Sequence, residues 1–574
     1  MPGANMIFTN LAVKPEGAYW LPCWLSLVKT WLFVISALLL SACGGGGGGD
    51  SGGAIISSSS VATSVSSSST SSFSSSSSNS VYISGSVSYD FVPVRKAQGL
   101  DYNATAHKPV RAAKVNLIDE AGAVVATAQT DQQGHYTLTS PRDRQVKVQV
   151  EAYSYADAAQ RWEIRVEDNT ANNALYVLEG ELLNSGQSDS MRDLHAGSGW
   201  DGNQYSQPRA AAPFAILDTA YRSMQSLLEV DPNLTLPTSI FRWSENNTVA
   251  IGDYGDGDIG TSFYNGAAVY VLGQAGVDSD EYDAHVIAHE WGHFVEVQLG
   301  GRSDSIGGDH SITDRLDMRV AYSEGFANGF SAYVLADPEY RDTFGLRQAR
   351  SSGFDVSLKN PAVRGWYSES SIQSIFYHLA EFGAFDAIYS VFSDLRYETI
   401  PAFTSIFSFA ELLAELDPQA FAELDRLMNQ QLIVSRDAYG EAETNNGSTQ
   451  GALPVYVNLV AGGRAVVCSS QQNGQQNKLG VHAFLATTIF ASGQYRLLVE
   501  NNGERAAETD PDIVVNGAGE RWVGLSAQVD AESLDLNMQA GERYAIAVTD
   551  YQNHADALTP NYQPACFNVS LTSI

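Results

Sequence analysis

The spacing of apolar residues divides the chain into segments of different periodicity. From 81 to 180, apolar and polar residues alternate between Gly, Asp and Asn turns, as in "VKVQVEAYSY". Such alternation is typical of strands that bury one face. It returns over 451–574, for example in "QYRLLVE". We therefore predict an all-β sandwich domain at each of these two positions.

The intervening part of the chain has a mixed pattern. Residues 213–450 contain helical spacing in "APFAILDTAYRSMQSLLEV" and strand-like runs in "TSIFRW" and "AAVYVLG". Residues 181–212 are polar and rich in Gly, which predicts a connecting segment. The pattern therefore predicts a multidomain protein with a central α+β domain between two β-sandwiches.

The N-terminal segment has the features of an export signal. Lys29 precedes the apolar run "TWLFVISALLL", which is too short to span a bilayer of roughly 30 Å but suits the core of a signal peptide. The following "LSAC" resembles the bacterial lipobox, which implies a lipoprotein signal peptide over 1–43 and lipidation of Cys43. An uncleaved anchor is the alternative. Because no Asp follows Cys43, the resemblance favours the outer membrane or cell surface, with the protein lipid-anchored there.

Composition predicts a linker and disfavours nucleic acid as a partner. Residues 44–80 are mostly Gly and Ser with almost no charge, which predicts a disordered tether. The 65 acidic against 33 basic side chains give a net charge of −32, which disfavours nucleic acid as a partner. Of the four cysteines, Cys468 and Cys566 remain outside the leader, and in an exported protein such a pair predicts a disulfide.

Both β-rich segments resemble known modules. The order "SGSV", "AAKVNLIDEAG", "TDQQGHYTL" is similar to the carboxypeptidase regulatory-like, transthyretin-like β-sandwich. That resemblance implies a turn at Asp131 and Gly134 and a core position for Tyr136. The C-terminal run "ESLDLNMQAGERYAIAV" is similar to the bacterial pre-peptidase C-terminal β-sandwich.

The pentapeptide "HEWGH" is the strongest chemical signal. Asp278 and Glu281 resemble a capping box and "GG" stands at 300–301, so we predict a helix over 279–298. Side chains four apart lie on one helix face, which lets His289 and His293 bind one metal ion with Glu290 beside it. Two imidazoles and a neighbouring carboxylate are what zinc-dependent hydrolysis requires. A structural histidine pair is the alternative.

A catalytic zinc needs a third protein ligand. The metzincin spacing is excluded because Glu296 and Leu299 stand where Gly and His are required. Farther on, "SEGFAN" resembles the second-helix motif of gluzincin metallopeptidases. The resemblance implies a zincin-like metallopeptidase domain over 213–450, with Glu324 as the third ligand and Asn328 where an Asp usually orients a zinc-bound His.

Other residues compete for roles near the metal. The loop between the two motifs holds Asp309 and His310, rivals for the third ligand, with His310 also a partner behind the ligands. His285, one turn before His289, is a weaker rival. In this mechanism Glu290 takes a proton from a zinc-bound water and returns it to the leaving amine.

Donors to the oxyanion and a substrate-binding strand complete the predicted site. By analogy with gluzincins, Tyr377 and His378 are the candidate donors, with Tyr322 and His310 as alternatives. The strand at 267–273 would pair with an extended peptide. The acidic run at Asp253, Asp256 and Asp258 is either a calcium site or a solvated turn, and it lacks the EF-hand pattern.

These residues predict a zinc-dependent peptidase, exported and lipid-anchored, that acts on a peptide or protein substrate. The alternative is a catalytically degenerate, lipid-anchored surface protein that binds through its β-sandwich domains. Hydrolysis of another amide, such as a peptidoglycan cross-link, is a third hypothesis.

Overall fold

The computed structural model describes residues 79–96, 98–156, 161–503, 508–555 and 564–574 of the chain. Ser80–Ile574 forms one compact unit. Within the described ranges, no helix has the length and apolarity needed to cross a membrane. The predicted signal peptide 1–43, the lipidation site Cys43 and all but the last two residues of the predicted linker 44–80 lie outside the described residues.

The N-terminal region is built from strands. In chain order, β1 to β14 are Ser80–Phe91, Val94–Arg95, Gly99–Leu100, Ala106–Pro109, Ala113–Asp119, Val124–Gln129, His135–Pro141, Gln145–Tyr155, Glu163–Asp168, Ala174–Leu175, Val177–Glu179, Leu183–Asn184, Ser190–Met191 and Leu194–Ala196. β1 pairs with β4, β7, β13 and β14 in one sheet, and β5, β6, β8 and β9 belong to another. The predicted turn is confirmed, since Gly134 N donates to Asp131 O at 3.0 Å, and Tyr136 is 3% exposed.

Residues 181–212 do more than connect. Their strands β12, β13 and β14 return to the N-terminal sheets and pair with β8 and β1. The parallel pairs of β1 with β13 and β14 are non-local, and for this reason the polar, Gly-rich composition of the segment did not reveal them.

The central region combines helices with short strands. Strands β15 to β21 are Ser239–Trp243, Phe263–Tyr264, Val269–Val271, Gly273–Gln274, Asp278–Ser279, Glu339–Phe344 and Arg350–Asp355. Helices α1 to α8 are Ala212–Val230, Ala284–Gly300, Met318–Leu335, Glu369–Leu379, Phe385–Ser393, Leu395–Thr399, Ile406–Leu416 and Pro418–Gln430.

One sheet joins the N-terminal and central regions. β15 runs parallel to β9, with Phe241 in register with Val166, and the strand order is β16-β17-β15-β9-β8-β5-β6. Ile164 of β9 and Phe241 of β15 are fully buried in the same core. The core is therefore continuous across the predicted boundaries at 181 and 213.

Helix α2 begins later than the sequence predicts. The predicted capping box at Asp278 and Glu281 is wrong, because Asp278–Ser279 forms strand β19 and the helix begins at Ala284. At its other end the predicted stop holds, since Gly301 has φ +67°, a conformation that glycine adopts without strain.

The C-terminal region is a two-sheet β structure around its own core. Strands β22 to β30 are Val457–Asn458, Arg464–Ser469, His482–Thr488, Gly493–Asn501, Pro511–Gly517, Glu520–Gly524, Ala531–Met538, Arg543–Asp550 and Ala565–Ser573, and α9 is Tyr551–Ala555. Sheets β22-β24-β29-β26-β27 and β23-β30-β25-β28 both contribute to one apolar cluster. The predicted disulfide is confirmed: Cys468 and Cys566 are bonded and face each other on β23 and β30.

Candidate metal centre

Three side chains from α2 and α3 converge on one point. Nε2 of His289 and Nε2 of His293 lie 3.2 Å apart. Oε2 of Glu324 lies 3.2 Å from the first and 3.4 Å from the second. Glu324 and His289 are 7% and 8% exposed. We call these three residues the triad.

Close packing of the two helices brings the triad together. Gly292, inside the pentapeptide, faces Ala327 of α3, and a Cβ at Gly292 would lie 3.1 Å from the Ala327 Cα. A larger residue would force the helices apart and separate Glu324 from the imidazoles. The glycine in "HEWGH" thus has a packing reason.

The triad fits a zinc ion in both chemistry and spacing. Zinc favours imidazole nitrogen and carboxylate oxygen, and tetrahedral bonds of about 2.0–2.1 Å separate neighbouring donors by about 3.3 Å. The observed separations are 3.2–3.4 Å. Three protein ligands also leave a fourth position for water or substrate.

Each imidazole is held from behind by a neutral side chain and a buried carboxylate. With Nε2 directed into the triad, Nδ1 of His289 donates to Oδ1 of Asn328 at 2.8 Å. The amide of Asn328 in turn donates to Glu369 Oε1 at 2.7 Å and to Gln373 Oε1 at 3.0 Å. These two acceptors fix which end of the amide faces the imidazole.

His293 has a parallel arrangement. Its Nδ1 lies 3.1 Å from Ser323 Oγ, which donates to Glu296 Oε2 at 2.5 Å. Glu296 is fully buried. The sequence held a signal for this contact, because Glu296 lies one helical turn after His293 and Ser323 directly precedes Glu324.

The electrostatics of the triad favour positive charge at its centre. Burial lowers the pKa of His293, but Glu324 together with Glu296 and Glu290 outweighs it and raises the pKa well above its ordinary value. Burial raises the pKa of Glu324, yet His293, His310 and His289 outweigh it and hold that pKa well below its usual range.

Glu290 points to the same region without joining the triad. Its Oε2 accepts a hydrogen bond from the backbone N–H of Tyr264 at 2.8 Å. Burial raises the pKa of Glu290, partly countered by His289 and His293. A carboxyl group with a raised pKa beside two imidazoles can exchange a proton.

The strand next to Glu290 is β16, not the predicted one. Residues 269–271 form β17, which is paired on both sides, with β15 and with β16. β16 carries Tyr264 and lies at the edge of the ten-stranded sheet. The edge nearest Glu290 therefore belongs to Phe263–Tyr264, which sequence periodicity could not detect in a two-residue strand.

His310 lies beside the triad rather than within it. Its Nε2 is 3.6 Å from Glu324 Oε2 and 3.6 Å from Glu369 Oε2. Burial lowers the pKa of His310, but these two carboxylates raise it to about 9. The rival ligand Asp309 contributes a backbone carbonyl to Lys478 at 2.6 Å.

Glu369 is the main residue that sequence reasoning missed. It is 4% exposed at the start of α4, and its Oε2 has no hydrogen-bond partner among the described residues. It lies 45 residues beyond Glu324 in sequence, and no spacing rule connects it to either motif.

The predicted oxyanion donors have other contacts. His378 Nε2 lies 2.9 Å from the carbonyl oxygen of Ser357, and the ring of Tyr377 contacts that of His378 at 5.3 Å. Tyr322 is fully buried, with its hydroxyl 3.2 Å from that of Tyr397. None of their described contacts reaches the triad.

His285 also takes no part in the triad. Its Nε2 is 3.9 Å from Asp337 Oδ2. Tyr340 of β20, which the sequence did not single out, packs near both rings, with its own ring 5.4 Å from that of His285 and 6.0 Å from that of His289.

Two other groups of potential ligands occur in the described part of the chain. One is Asp90, His107 and His195, of which both histidines are exposed; the other is Asp278, Asp280 and Asp342. The predicted acidic turn is not among these groups. Asp253 Oδ1 accepts from Gly255 N at 2.7 Å, and Asp258 Oδ1 accepts from Thr248 Oγ1 at 3.2 Å, as in a solvated turn.

Comparison with known proteins gives only distant likenesses. The chain matches no protein-family model and no curated protein. A pre-peptidase C-terminal domain of a collagenase from Bacillus anthracis is 10% identical, with 20% of this chain and 93% of that chain covered and a TM-score of 0.15. The surface-associated copper-binding protein CorA of Methylomicrobium album BG8 is 6% identical, with 21% of this chain and 98% of that chain covered and a TM-score of 0.16. A CBM35 from Cellvibrio japonicus Abf62 is 14% identical, with 18% of this chain and 71% of that chain covered and a TM-score of 0.13. Likenesses at this level carry no functional conclusion.

Proposed function

We propose that the chain is a zinc-dependent peptidase of gluzincin type, in which Glu290 activates a water molecule for attack on a peptide bond. The observation that carries the proposal is the convergence of His289, His293 and Glu324 within 3.2–3.4 Å of one another. Bound there, zinc supplies acidification of water and polarisation of a carbonyl group.

Glu290 is the proposed general base and then general acid. Its backbone partner at Tyr264 fixes one carboxylate oxygen and leaves the other for the proton. Burial raises the pKa of Glu290, which favours uptake of a proton from water, and the same carboxyl can return that proton to the leaving amine.

His310 is the proposed donor to the carbonyl oxygen of the substrate. Its side chain is 25% exposed and lies 3.6 Å from Glu324 Oε2, so it borders the triad and still faces incoming substrate. Its imidazole N–H can donate to the negative charge that develops on that oxygen. This assignment replaces Tyr377 and His378.

The edge strand β16 supports a peptide as the substrate. Phe263–Tyr264 ends the sheet on the side where Tyr264 holds Glu290. An extended peptide that pairs with this edge would be bound through its main chain and brought to the general base. Side-chain preference would then come from a few neighbouring residues.

Export and lipidation are part of the proposal. The disulfide between Cys468 and Cys566 suits an oxidising compartment, which agrees with the signal-like leader and the lipobox-like "LSAC". Mass spectrometry of the N-terminal peptide from membrane-extracted protein tests this: a diacylglycerol-modified Cys43 is expected, and an unprocessed leader would favour the uncleaved anchor.

The test of the enzymatic proposal combines metal analysis with digestion of a peptide library. Wild type should hold one zinc at the triad and cleave peptides in a chelator-sensitive way. Glu290→Gln should retain the zinc and lose activity by about 10²–10⁴-fold, the range for loss of a general acid–base. Because Asp90, His107 and His195 form another potential site, zinc should also be counted in His195→Ala.

The outcomes separate the hypotheses. A wild type that takes up no metal would favour the binding protein, and Glu290→Gln with full activity would remove Glu290 from the mechanism. Zinc-dependent activity on peptidoglycan fragments but not on linear peptides would favour the other-amide hypothesis.

A further inference from the structure

Carboxylates from the segment that precedes helix α2 and from strand β20 form a separate group. Ligand atoms of Asp278, Asp280 and Asp342 all lie within 4.8 Å of one another. Asp278 pairs with Phe344 across β19 and β20, and this register, continued by two residues, places Asp280 opposite Asp342. Like charges directly opposite on paired strands are destabilising, so this arrangement needs a compensating charge.

The carboxylate of Asp283 lies beside this group, since it is hydrogen-bonded to Thr343, the neighbour of Asp342. Asp280 and Asp283 are 3% and 1% exposed. One oxygen of each is held: Ser262 donates to Asp280 Oδ2, and Thr343 donates to Asp283 Oδ2 from its N–H and its hydroxyl, both at 2.8 Å.

The other carboxylate oxygen of each aspartate has no hydrogen-bond donor in the described part of the chain. Oδ1 of each of the four aspartates is buried and has no hydrogen-bond donor among the described residues. Buried polar atoms are nearly always satisfied, and buried charges are paired or coordinate metals. Because three of these residues also offer ligand atoms within 4.8 Å of one another, the unsatisfied oxygens indicate a missing positively charged partner.

No side chain supplies that charge. Within the described residues, none of the four aspartates forms an ion pair with Lys, Arg or His, and the nearby guanidinium of Arg209 is engaged with Glu281 at 2.7 Å. Burial first, and then the neighbouring carboxylates, raise the pKa of Asp278 to about 7. Its carboxylate form is thus disfavoured while no cation is present.

We propose that Asp278, Asp280, Asp342 and Asp283 bind a hard divalent cation, calcium by their chemistry, at a site separate from the zinc triad. Carboxylate oxygens without nitrogen or sulfur donors suit calcium or magnesium rather than zinc. Calcium accepts six to eight oxygens in irregular geometry, whereas magnesium demands a near-ideal octahedron. Side chains from two strands and a helix start fit the former.

The site lies where it can hold the zinc-binding helix in place. Asp283 directly precedes α2, which carries His289 six residues later. Asp342 is on β20 together with Tyr340, whose ring packs at 6.0 Å from that of His289. A cation shared by these elements ties the start of α2 to β20. Asp278 and Asp342 are half-buried, which leaves a route for the ion.

The test uses the full chain, stripped with a chelator, reloaded with zinc and titrated with calcium alone by calorimetry. One calcium per chain and a Tm higher by several degrees are expected, with a weaker response to magnesium. Asp280→Asn combined with Asp342→Asn should abolish both the calcium binding and the rise in Tm. In chelator this double variant should be more stable than wild type, because like-charge repulsion is removed, and with calcium it should be less stable.

That reversal of the order of stability distinguishes a cation site from carboxyl groups that share a proton. The proposal is overturned if wild type does not bind calcium and the double variant is more stable in both buffers. It is also overturned if the double variant binds calcium as wild type does. Should the double variant not fold, terbium luminescence displaced by calcium in wild type decides alone. The matched control, Asp253→Asn with Asp256→Asn in the acidic turn, should leave calcium binding unchanged.

Discussion

Asn328 donates its side-chain amide to Oε1 of Glu369 at 2.7 Å. Because the same side chain accepts a hydrogen bond from His289 at 2.8 Å, the amide of Asn328 stands between the imidazole and the carboxyl group of Glu369. The structure thus places a carboxyl group from another helix, α4, behind the imidazole of His289.

Removal of this amide should weaken zinc binding. We expect Asn328→Ala to lower zinc affinity by about 10–100-fold, the range for loss of a partner behind a metal-binding His, and Asn328→Asp to retain it. Competition with a chromophoric chelator measures the affinity. Asn537→Ala, on an exposed position of β28, is the control, and an Asn328→Ala variant with wild-type affinity would rule out the orienting role.

His310 should affect turnover and not metal content. We expect His310→Ala to lower kcat by about 10²–10³-fold, as for loss of one oxyanion donor, while KM and bound zinc stay near wild type. Steady-state kinetics on a cleaved peptide together with metal analysis checks this. His135→Ala, exposed on β7, should behave as wild type. Loss of zinc in His310→Ala would instead make His310 a ligand.

The C-terminal β structure should influence the loop that carries His310. Asn477 donates its side-chain amide to the carbonyl oxygens of Gly307 and Gly308, at 2.7 and 2.8 Å. Asn477→Ala removes both bonds, so we expect faster amide hydrogen exchange over 305–314 and a several-fold lower kcat with unchanged zinc content. Unchanged exchange in this loop would show that Asn477 does not hold it.

Stability should depend on pH through Asp512 of β26. Burial, with Asp510, Glu532 and Asp550 facing it, raises the pKa of Asp512 to about 7, against about 3.9 in an unfolded chain. The folded state binds the extra proton, so this contribution to stability is complete below pH 4 and is lost as the pH rises through 7. Asp512→Asn should therefore exceed wild type in Tm at pH 8 and match it near pH 4, as calorimetry at both values can show.

The disulfide should stabilise the C-terminal β structure. Cys468 and Cys566 are 98 residues apart, and loss of a disulfide that closes such a loop typically costs about 2–5 kcal/mol. Replacement of both by Ala should lower the free energy of unfolding by that amount, as denaturant titration can measure. Reducing agent should have the same effect on wild type and none on the double variant.

The sequence predicted the triad better than its surroundings. His289 and His293 are four apart on one helix, and "SEGFAN" lies on the next, so local spacing located the convergent residues. Glu369, Tyr340 and β16 reach the site through tertiary packing, which spacing does not encode. The start of α2 was misplaced because an acidic run before a helix looks like a cap, whereas here it forms a strand and a carboxylate cluster.

The parallel pairing of β9 with β15 limits how this protein can be truncated and which of its regions can evolve separately. A fragment that starts at residue 213 would leave β15 without one neighbour, and its bare backbone edge would invite aggregation. A fragment chosen for expression should therefore start before β1. In evolution, a gene for the central region alone would have to recruit a replacement strand, so the first two regions are expected to be transmitted together.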